Sequence, residues 1–405
     1  MPRNSKHHRA LGLVTVLPLL FQAVLGHGSL HEHLASVPLT LRSVSLDVAC
    51  PLPVDDNAVQ SSPWTHPPQC EHTTDGTAKY CAYTNSHHGP RGWSIITTPE
   101  TAANSASFLT QQLNTTSSRD APYKMVDIPG KGKGLVATRP IKRHEEILLE
   151  HASMLVDLAF TVKVKATLGY RLLHAAVDRL SDPDSVRELG QTNGLAKDKV
   201  ENILRTNAFH TPMDGVPHIA LYPTVSRLNH ACNPNSYTRP MPETLQISIL
   251  AARDIAAGEE ITHSYLPLGL PHPERTQKLH RQWGFTCTCA LCSAPAASIA
   301  ASDARRREIV RLRDEAVKAF QAGRPYAALR LTRQTAGLLE AAGDELRPLL
   351  GEQYENMARV YFVLGERGEM ERYGRMALEV VEGVVREGEL EGMWRRFEAE
   401  EGGRY

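Results

Sequence analysis

The amino-acid sequence predicts an α+β protein in which a β-rich core carries a helical insertion and is followed by an all-α domain. Three observations carry that expectation. Short β-branched and aromatic runs, at residues 123–128, 135–138, 219–222 and 245–250, alternate with tight-turn residues such as Pro129, Gly130 and Gly132. Between about 155 and 205 the glycine punctuation of strands is missing, and Leu168, Leu172, Leu173, Ala176 and Leu180 recur at helical spacing. After Ser293 the composition turns to Ala, Leu, Glu and Arg with a helical period.

A chain of 405 residues, 41% hydrophobic and 22% charged, has room for two domains with their own cores. Its 45 basic residues balance 45 acidic ones and no long basic run occurs, so direct nucleic-acid binding is not expected.

The elements follow in order. Residues 1–26 read as a signal peptide: Arg3, Lys6 and Arg9 precede an apolar stretch from Ala10 to Leu25, interrupted by Pro18. That stretch is too short to span a bilayer, so the mature chain is expected to have no transmembrane segment. Cleavage near Gly26 would send the protein into the secretory pathway; an uncleaved apolar helix on a cytoplasmic or nuclear protein is the alternative. Residues 27–120 read as an irregular segment rich in Pro, Ser, Thr, Asn and His. Inside it, Tyr80–Tyr83 and Gly92–Ile96 are strand-like, and a helix is expected from Glu100 to about Gln112. The sequon at Asn114 and the cysteines Cys50, Cys70 and Cys81 suit an oxidising compartment, with one cysteine left over whichever pair bridges. The run from His27 to His33 could hold copper or nickel loosely if cleavage exposed it, but reads first as a solvated tail.

The β-rich domain is expected over 121–270, with the helical insert at 155–205. Residues 271–297 end in Cys287, Cys289 and Cys292, three thiolates on a tight turn, where tetrahedral zinc requires four. Cys232 is the remaining candidate in this half; disulfide pairing is the competing account, disfavoured because C-x-C spacing gives poor bridge geometry. Residues 298–405 form the helical domain, with four amphipathic helices drawn between about Asp303 and Gly383. Ala316–Ala328 and Ala358–Ala377 resemble each other, each joining two helices across Gly323 or Gly365, a tetratricopeptide-like pattern. Such a domain offers a groove for a peptide or protein partner, or simply a cover for the core.

The chemistry-bearing motifs lie in the β-rich domain. Lys131-Gly132-Lys133-Gly134 sits between two strands, where glycines let backbone approach a ligand closely, although alone it would pass for a hairpin turn. Asn207-Ala208-Phe209 follows the insert. Then come Leu221-Tyr222-Pro223-Thr224-Val225-Ser226-Arg227-Leu228-Asn229-His230-Ala231-Cys232-Asn233-Pro234-Asn235, Gly258-Glu259-Glu260-Ile261-Thr262-His263-Ser264-Tyr265, and Trp283-Gly284-Phe285-Thr286-Cys287-Thr288-Cys289.

In this order the motifs resemble those of SET-domain protein-lysine methyltransferases: the opening G-x-G, the N-x-F, the N-H-S-C-x-P-N signature, G-E-E-[IL]-x-x-x-Y, and the post-SET segment. The resemblance covers roughly the last two thirds of the chain and is nearest to the SMYD branch. Two departures stand out. The insert has no cysteine and so no MYND finger, as in fungal SMYD-like proteins without it, and Ala231 stands where the family usually has serine.

The resemblance implies that S-adenosyl-L-methionine (AdoMet) is the cofactor, lying beside Gly132, Lys133 and Gly134. Asn207, Ser226 and Asn229 would hydrogen-bond it, His230 would meet adenine and Phe285 would pack on it. It implies that Cys232, Cys287, Cys289 and Cys292 hold a structural zinc that closes the cofactor pocket. Tyr265 becomes the residue expected to orient amine and methyl group, since this transfer needs alignment more than a strong base. Tyr222 is a candidate wall of the lysine channel, with core packing in a strand as its alternative reading. The expected substrate is a protein or peptide lysine. A competing reading is a SET-fold binding or scaffold protein with little methyl transfer, or a secreted interaction protein.

Overall fold

The computed structural model describes residues 63–110, 121–192, 195–383 and 388–401. The signal-peptide reading, the His27–His33 run, Cys50 and the sequon at Asn114 lie outside the described residues.

The N-terminal segment is more regular than its composition indicates. Strands β1 (Gln69–His72), β2 (Lys79–Asn85) and β3 (Trp93–Thr97) precede helix α1 (Pro99–Ser105). The helix expected as far as Gln112 ends early, passing at Ala106 into a 3-10 turn that reaches Thr110. Ser105 Oγ donates to the Ala102 carbonyl at 2.8 Å, so a side chain competes for the acceptors that a continuing helix would use. Cys70 and Cys81 face each other across β1 and β2 and are joined by a disulfide.

Then come β4 (Tyr123–Ile128), β5 (Gly132–Ala137), β6 (Glu146–His151) and β7 (Met154–Asp157). The insert supplies α2 (Phe160–Lys163), α3 (Ala166–Asp178), α4 (Asp184–Arg187) and α5 (Lys199–Asn207), after which the chain returns to β8 (Phe209–Met213) and β9 (Val216–Leu221). The remaining strands are β10 (Asn229–His230), β11 (Ser236–Met241), β12 (Gln246–Ala251) and β13 (Glu260–His263).

The strands form three sheets: six in the order β1-β2-β3-β7-β9-β8, four in the order β10-β13-β5-β4, and three in the order β11-β12-β6. The largest explains why its strands read as continuous apolar runs. On β2, Cys81 and Tyr83 face a core shared with Leu135, Ile247 and Ile261, whereas Tyr80 and Ala82 face the insert. On β3, Ile95 and Ile96 divide the same way, and on β7 so do Leu155 and Val156. Residues of period 2 buried on both faces leave no polar alternation to read. The expectation of an irregular segment fails here because β3 runs parallel beside β7, Ser94 opposite Met154, in a pairing that composition does not encode.

Helix α3 closes the far face with Leu172, Leu173, Ala176 and Val177. Helix α5 is capped by Asp198, whose carboxylate accepts from the Val200 and Glu201 amides at 2.9 and 3.1 Å.

After α6 (His272–Trp283) the helical region comprises α7 (Ala296–Gln321), α8 (Pro325–Ala341), α9 (Pro348–Val363), α10 (Arg367–Glu382) and α11 (Glu389–Glu401). Gly323 and Gly365, with φ of 67° and 75°, make the turns within α7/α8 and α9/α10. The last helix, α11, lies beyond the four drawn from periodicity; Met393 and Phe397 bury it against the others. No described helix is long and apolar enough to cross a membrane.

Candidate functional site

The site is assembled where β10 slots parallel to β13, with Asn229 opposite Thr262 and His230 opposite His263. Strand β13 lies between β10 and β5, so the glycine-bearing strand, the Asn-His pair and the end of β13 lie side by side in one sheet.

The two glycines of β5 serve different needs. Gly132 has φ +74°, a left-handed turn conformation with open space around it. At Gly134 an added Cβ would stand 2.6 Å from Ile128 Cγ1 and 2.8 Å from Asn229 Nδ2. The Asn229 amide occupies that space because its Nδ2 donates to Glu260 Oε1 at 2.9 Å and toward the Lys133 carbonyl at 3.4 Å. Glu260 is held in turn by Lys131 Nζ at 2.6 Å. The half-exposed Lys133 ammonium reaches Asp127 only at 4.0 Å.

Asn207 ends α5, its Nδ2 donating to the carbonyls of Gly190 at 2.7 Å and Ile203 at 2.8 Å. Ser226 Oγ points at the Asn207 carbonyl at 3.5 Å, so these two expected site residues meet. Trp283 Nε1 donates to the Thr206 carbonyl at 3.1 Å, tying α6 to the same corner.

Tyr265 stands at the centre of a cage of rings. The ring centroids of His230, His263 and Trp283 lie 5.3, 5.1 and 5.2 Å from its own, and that of Phe285 lies 6.4 Å away. Its hydroxyl donates to the Leu228 carbonyl at 2.9 Å. Burial, assisted by the Glu260 charge, pushes the phenol above its ordinary value, so at neutral pH it is a hydrogen-bond donor and not a base.

His230 is buried with both ring nitrogens engaged. Nδ1 accepts from the Tyr265 amide at 3.0 Å, which leaves the proton on Nε2, facing Cys232 Sγ at 3.2 Å. Burial holds the imidazole down to about 3, hence neutral. The ring thus links the cysteine cluster to the Tyr265 backbone.

Tyr222 takes the core position that was its alternative reading. It is fully buried in the core, with its hydroxyl 3.3 Å from Thr211 Oγ1, so it forms no exposed channel wall. The partly buried ring of Phe209 stands between it and His263, with centroids 5.9 and 6.0 Å away.

Cys232, Cys287, Cys289 and Cys292 are free thiols whose sulfurs all lie within 4.8 Å of one another. The Cys232 sulfur is 3.9 Å from that of Cys287 and 3.4 Å from that of Cys292. Zinc–thiolate bonds of about 2.3 Å in a tetrahedron need sulfurs about 3.8 Å apart, so this donor set fits zinc as it stands. Mutual hydrogen bonding holds the Cys289 thiol below its ordinary range and pushes the Cys232 and Cys287 thiols above theirs, so a bound cation is what would favour four thiolates together.

The structure thus brings Gly134, Asn229, His230, Tyr265, Phe285 and the four cysteines to one corner, with Asn207 and Ser226 on its rim. Residues for which the motifs assigned no role include Trp283, His263 and Glu260. Asn235 is another: this buried amide accepts from the Thr262 amide at 2.8 Å and donates to the Glu260 carbonyl at 2.8 Å, clamping the end of the signature to β13. Its place in the P-N of the signature was the only available hint.

Residues 132–266 match the family model of the SET domain. The chain is 30% identical over 199 residues to the histone-lysine N-methyltransferase set5 of Schizosaccharomyces pombe, covering 46% of this chain and 56% of that protein. It is 41% identical over 75 residues to the human histone-lysine N-methyltransferase SMYD3, 18% of this chain and 17% of the relative. With the Arabidopsis thaliana histone-lysine N-methyltransferase ATXR2 the identity is 39% over 82 residues, 20% and 17% of the two chains. The chain thus spans little more than half the length of set5 and far less of the other two.

Proposed function

We propose that this chain, which carries a SET domain and resembles set5 and SMYD3, methylates lysine side chains of proteins, using AdoMet. The observation that carries the reading is the placement of Tyr265: a protonated phenol inside a ring cage, beside Asn229 and the thiol cluster.

AdoMet supplies an electrophilic methyl group on a sulfonium. The protein's part is to hold the partners in line and keep water out, which suits the enclosed aromatic corner. Gly132 and Gly134 open the backbone for the cofactor, and Asn229 and Ser226 supply polar groups. The Tyr265 phenol, pinned by the Leu228 carbonyl, orients the amine and the methyl group without taking a proton. Desolvation in this corner and the positive sulfonium of bound AdoMet would disfavour an ammonium ion, so lysine reacts as the free amine. Zinc held by the cysteine quartet would tie the segment bearing Phe285 to the strand bearing His230 and keep that wall closed.

The names of the relatives point to histone lysines as the first substrate class to try. The Cys70–Cys81 bridge supports an oxidising compartment and the secretory reading of the N-terminus, so proteins of that compartment belong in the same screen. The C-terminal helices are the proposed surface for a protein partner.

The test is calorimetric titration of zinc-replete full-length protein with AdoMet, followed by transfer of labelled methyl groups to core histones and secretory-pathway proteins. Tyr265→Phe should lower kcat about 10²- to 10³-fold, in the range seen when one preorganised hydrogen-bonding group is removed, with AdoMet affinity unchanged. Absence of AdoMet binding by the wild type would sink the proposal, and equal loss of affinity in Tyr265→Phe would sink the orienting role.

A further inference from the structure

The turn that delivers Asn229 is held from below by a charge pair reaching in from the N-terminal strands. Glu150, on β6, is a carboxylate with side-chain exposure of only 5%. It accepts from the Thr224 amide at 2.9 and 3.0 Å and from the Val225 amide at 2.8 Å. These are the opening amides of the 3-10 turn Val225–Arg227, which ends in the Leu228-Asn229-His230 segment.

The charge of this buried carboxylate is met by Arg91, from the loop between β2 and β3. One Arg91 nitrogen donates to Glu150 Oε1 at 2.8 Å and the other to Thr224 Oγ1 at 2.9 Å. The guanidinium fork therefore grips the carboxylate and the turn together, which a lysine cannot do. Arg91 is itself fixed, because its carbonyl accepts from the Ser181 amide at 3.1 Å at the end of the first part of the insert. The next residue, Gly92, has φ +78°, and a Cβ there would stand 3.1 Å from the Ser181 nitrogen, so the loop is seated closely on the insert.

We propose that Arg91 and Glu150 are positioning residues that set the turn carrying Ser226 and Asn229 for the cofactor, so that the loop between β2 and β3 acts on cofactor binding from outside the site. The inference rests on the methyltransferase reading for its consequence, not for its geometry. Removing the guanidinium leaves a buried carboxylate short of its partner, and the uncompensated desolvation is relieved by entry of water or by rearrangement of the carboxylate. Either response withdraws acceptors from Thr224 and Val225 and loosens the segment that follows. Tyr265 is held by its own bonds and ring contacts, so the chemistry at saturation should survive.

The experiment compares wild type, Arg91→Met, Arg91→Lys and Glu150→Gln in the full-length zinc protein, by amide hydrogen exchange and AdoMet titration. In Arg91→Met the amides of Thr224 and Val225 should lose protection while those of Ile247 and Ile249 on β12 keep theirs. AdoMet affinity should fall about tenfold or more, with kcat at saturating AdoMet within about twofold of wild type. Arg91→Lys should recover only part of the affinity, and Glu150→Gln should reproduce the Arg91→Met pattern. Unchanged protection at Thr224 and Val225, uniform loss of protection across both strands and turn, or unchanged affinity despite local loss would each overturn the proposal. Failure of the wild type to bind AdoMet would overturn the functional reading instead, while the exchange comparison still decides whether the pair holds the turn.

Discussion

Replacing Gly134 by alanine isolates what the glycine strand contributes. The added methyl would sit 2.6 Å from Ile128 Cγ1, 2.8 Å from Asn229 Nδ2 and 3.3 Å from Glu260 Oε1. Ile128 is a side-chain neighbour with some freedom, but Asn229 is held by its 2.9 Å bond to Glu260, which Lys131 fixes from the other side at 2.6 Å. Asn229 must therefore give up a hydrogen bond to a charged acceptor, worth about 1.5–3 kcal/mol, or the strand must shift at a comparable overpacking cost. With part of that strain falling on the proposed cofactor contact, AdoMet affinity should drop about 10- to 100-fold, one decade per 1.4 kcal/mol. Gly132→Ala is the control: its Cβ meets nothing within 4 Å, so only the φ of +74° resists it, at a cost of order 1 kcal/mol. Calorimetric AdoMet titration, with zinc content and thermal unfolding measured on the same samples, separates the two. Wild-type affinity in Gly134→Ala, or an equal loss in Gly132→Ala, would show that the Asn229 contact is not what Gly134 protects.

Tyr222→Phe should cost about 1 kcal/mol or less, because it removes only the 3.3 Å contact with Thr211, and should leave methyl transfer intact; a large fall in kcat would return Tyr222 to the channel wall. Cys289→Ser, or chelation of the metal, should weaken AdoMet binding together with zinc loss, and a zinc-free protein of normal AdoMet affinity would refute the coupling. His151 and His88 form a buried pair with ring centroids 4.8 Å apart, and burial, reinforced by His88, holds His151 down from 6.5 to about 3. The unfolded chain therefore binds the proton first, and stability should fall as pH drops from about 6.5 toward 3, by up to about 1.4 kcal/mol per pH unit for this group. Urea unfolding at pH 7, 5 and 4 should show a shallower fall in His151→Gln than in wild type; parallel pH curves would remove His151 as the cause.

The residues that meet at this corner were mostly named by local motifs, and what the motifs left out shares one cause. The C-x-C-x-x-C turn presents three thiols within a few residues, so its metal chemistry can be read from spacing, and Cys232 follows as the fourth. Tyr265 and Asn229 could be named from their motifs because β10 and β13 are short segments with strong patterns. For His230 the motif position does not record what a ring nitrogen touches. Its two partners, Cys232 and the Tyr265 amide, become visible only once β10 lies beside β13. Trp283 escaped attention because one aromatic before a turn looks like core; its indole matters through the Thr206 carbonyl and the Tyr265 ring.

By itself the sequence determined the order of motifs, the β-rich core with its helical insert, the helices behind it, and the three clustered thiols able to hold a metal, since each rests on periodicity or spacing over a few turns of chain; the role given to Tyr265 came from the family resemblance. Only the tertiary structure decided that the N-terminal strands join the largest sheet, that Tyr222 belongs to the core, and that Cys70 pairs with Cys81. It alone joined Arg91 to Glu150 and Thr224, which lie 59 and 133 residues further along the chain. The physical reason is that a parallel strand pair or a buried ion pair is formed by whichever partner the fold delivers. Its free energy depends on desolvation and geometry at the contact, and neither is written in the residues flanking either partner.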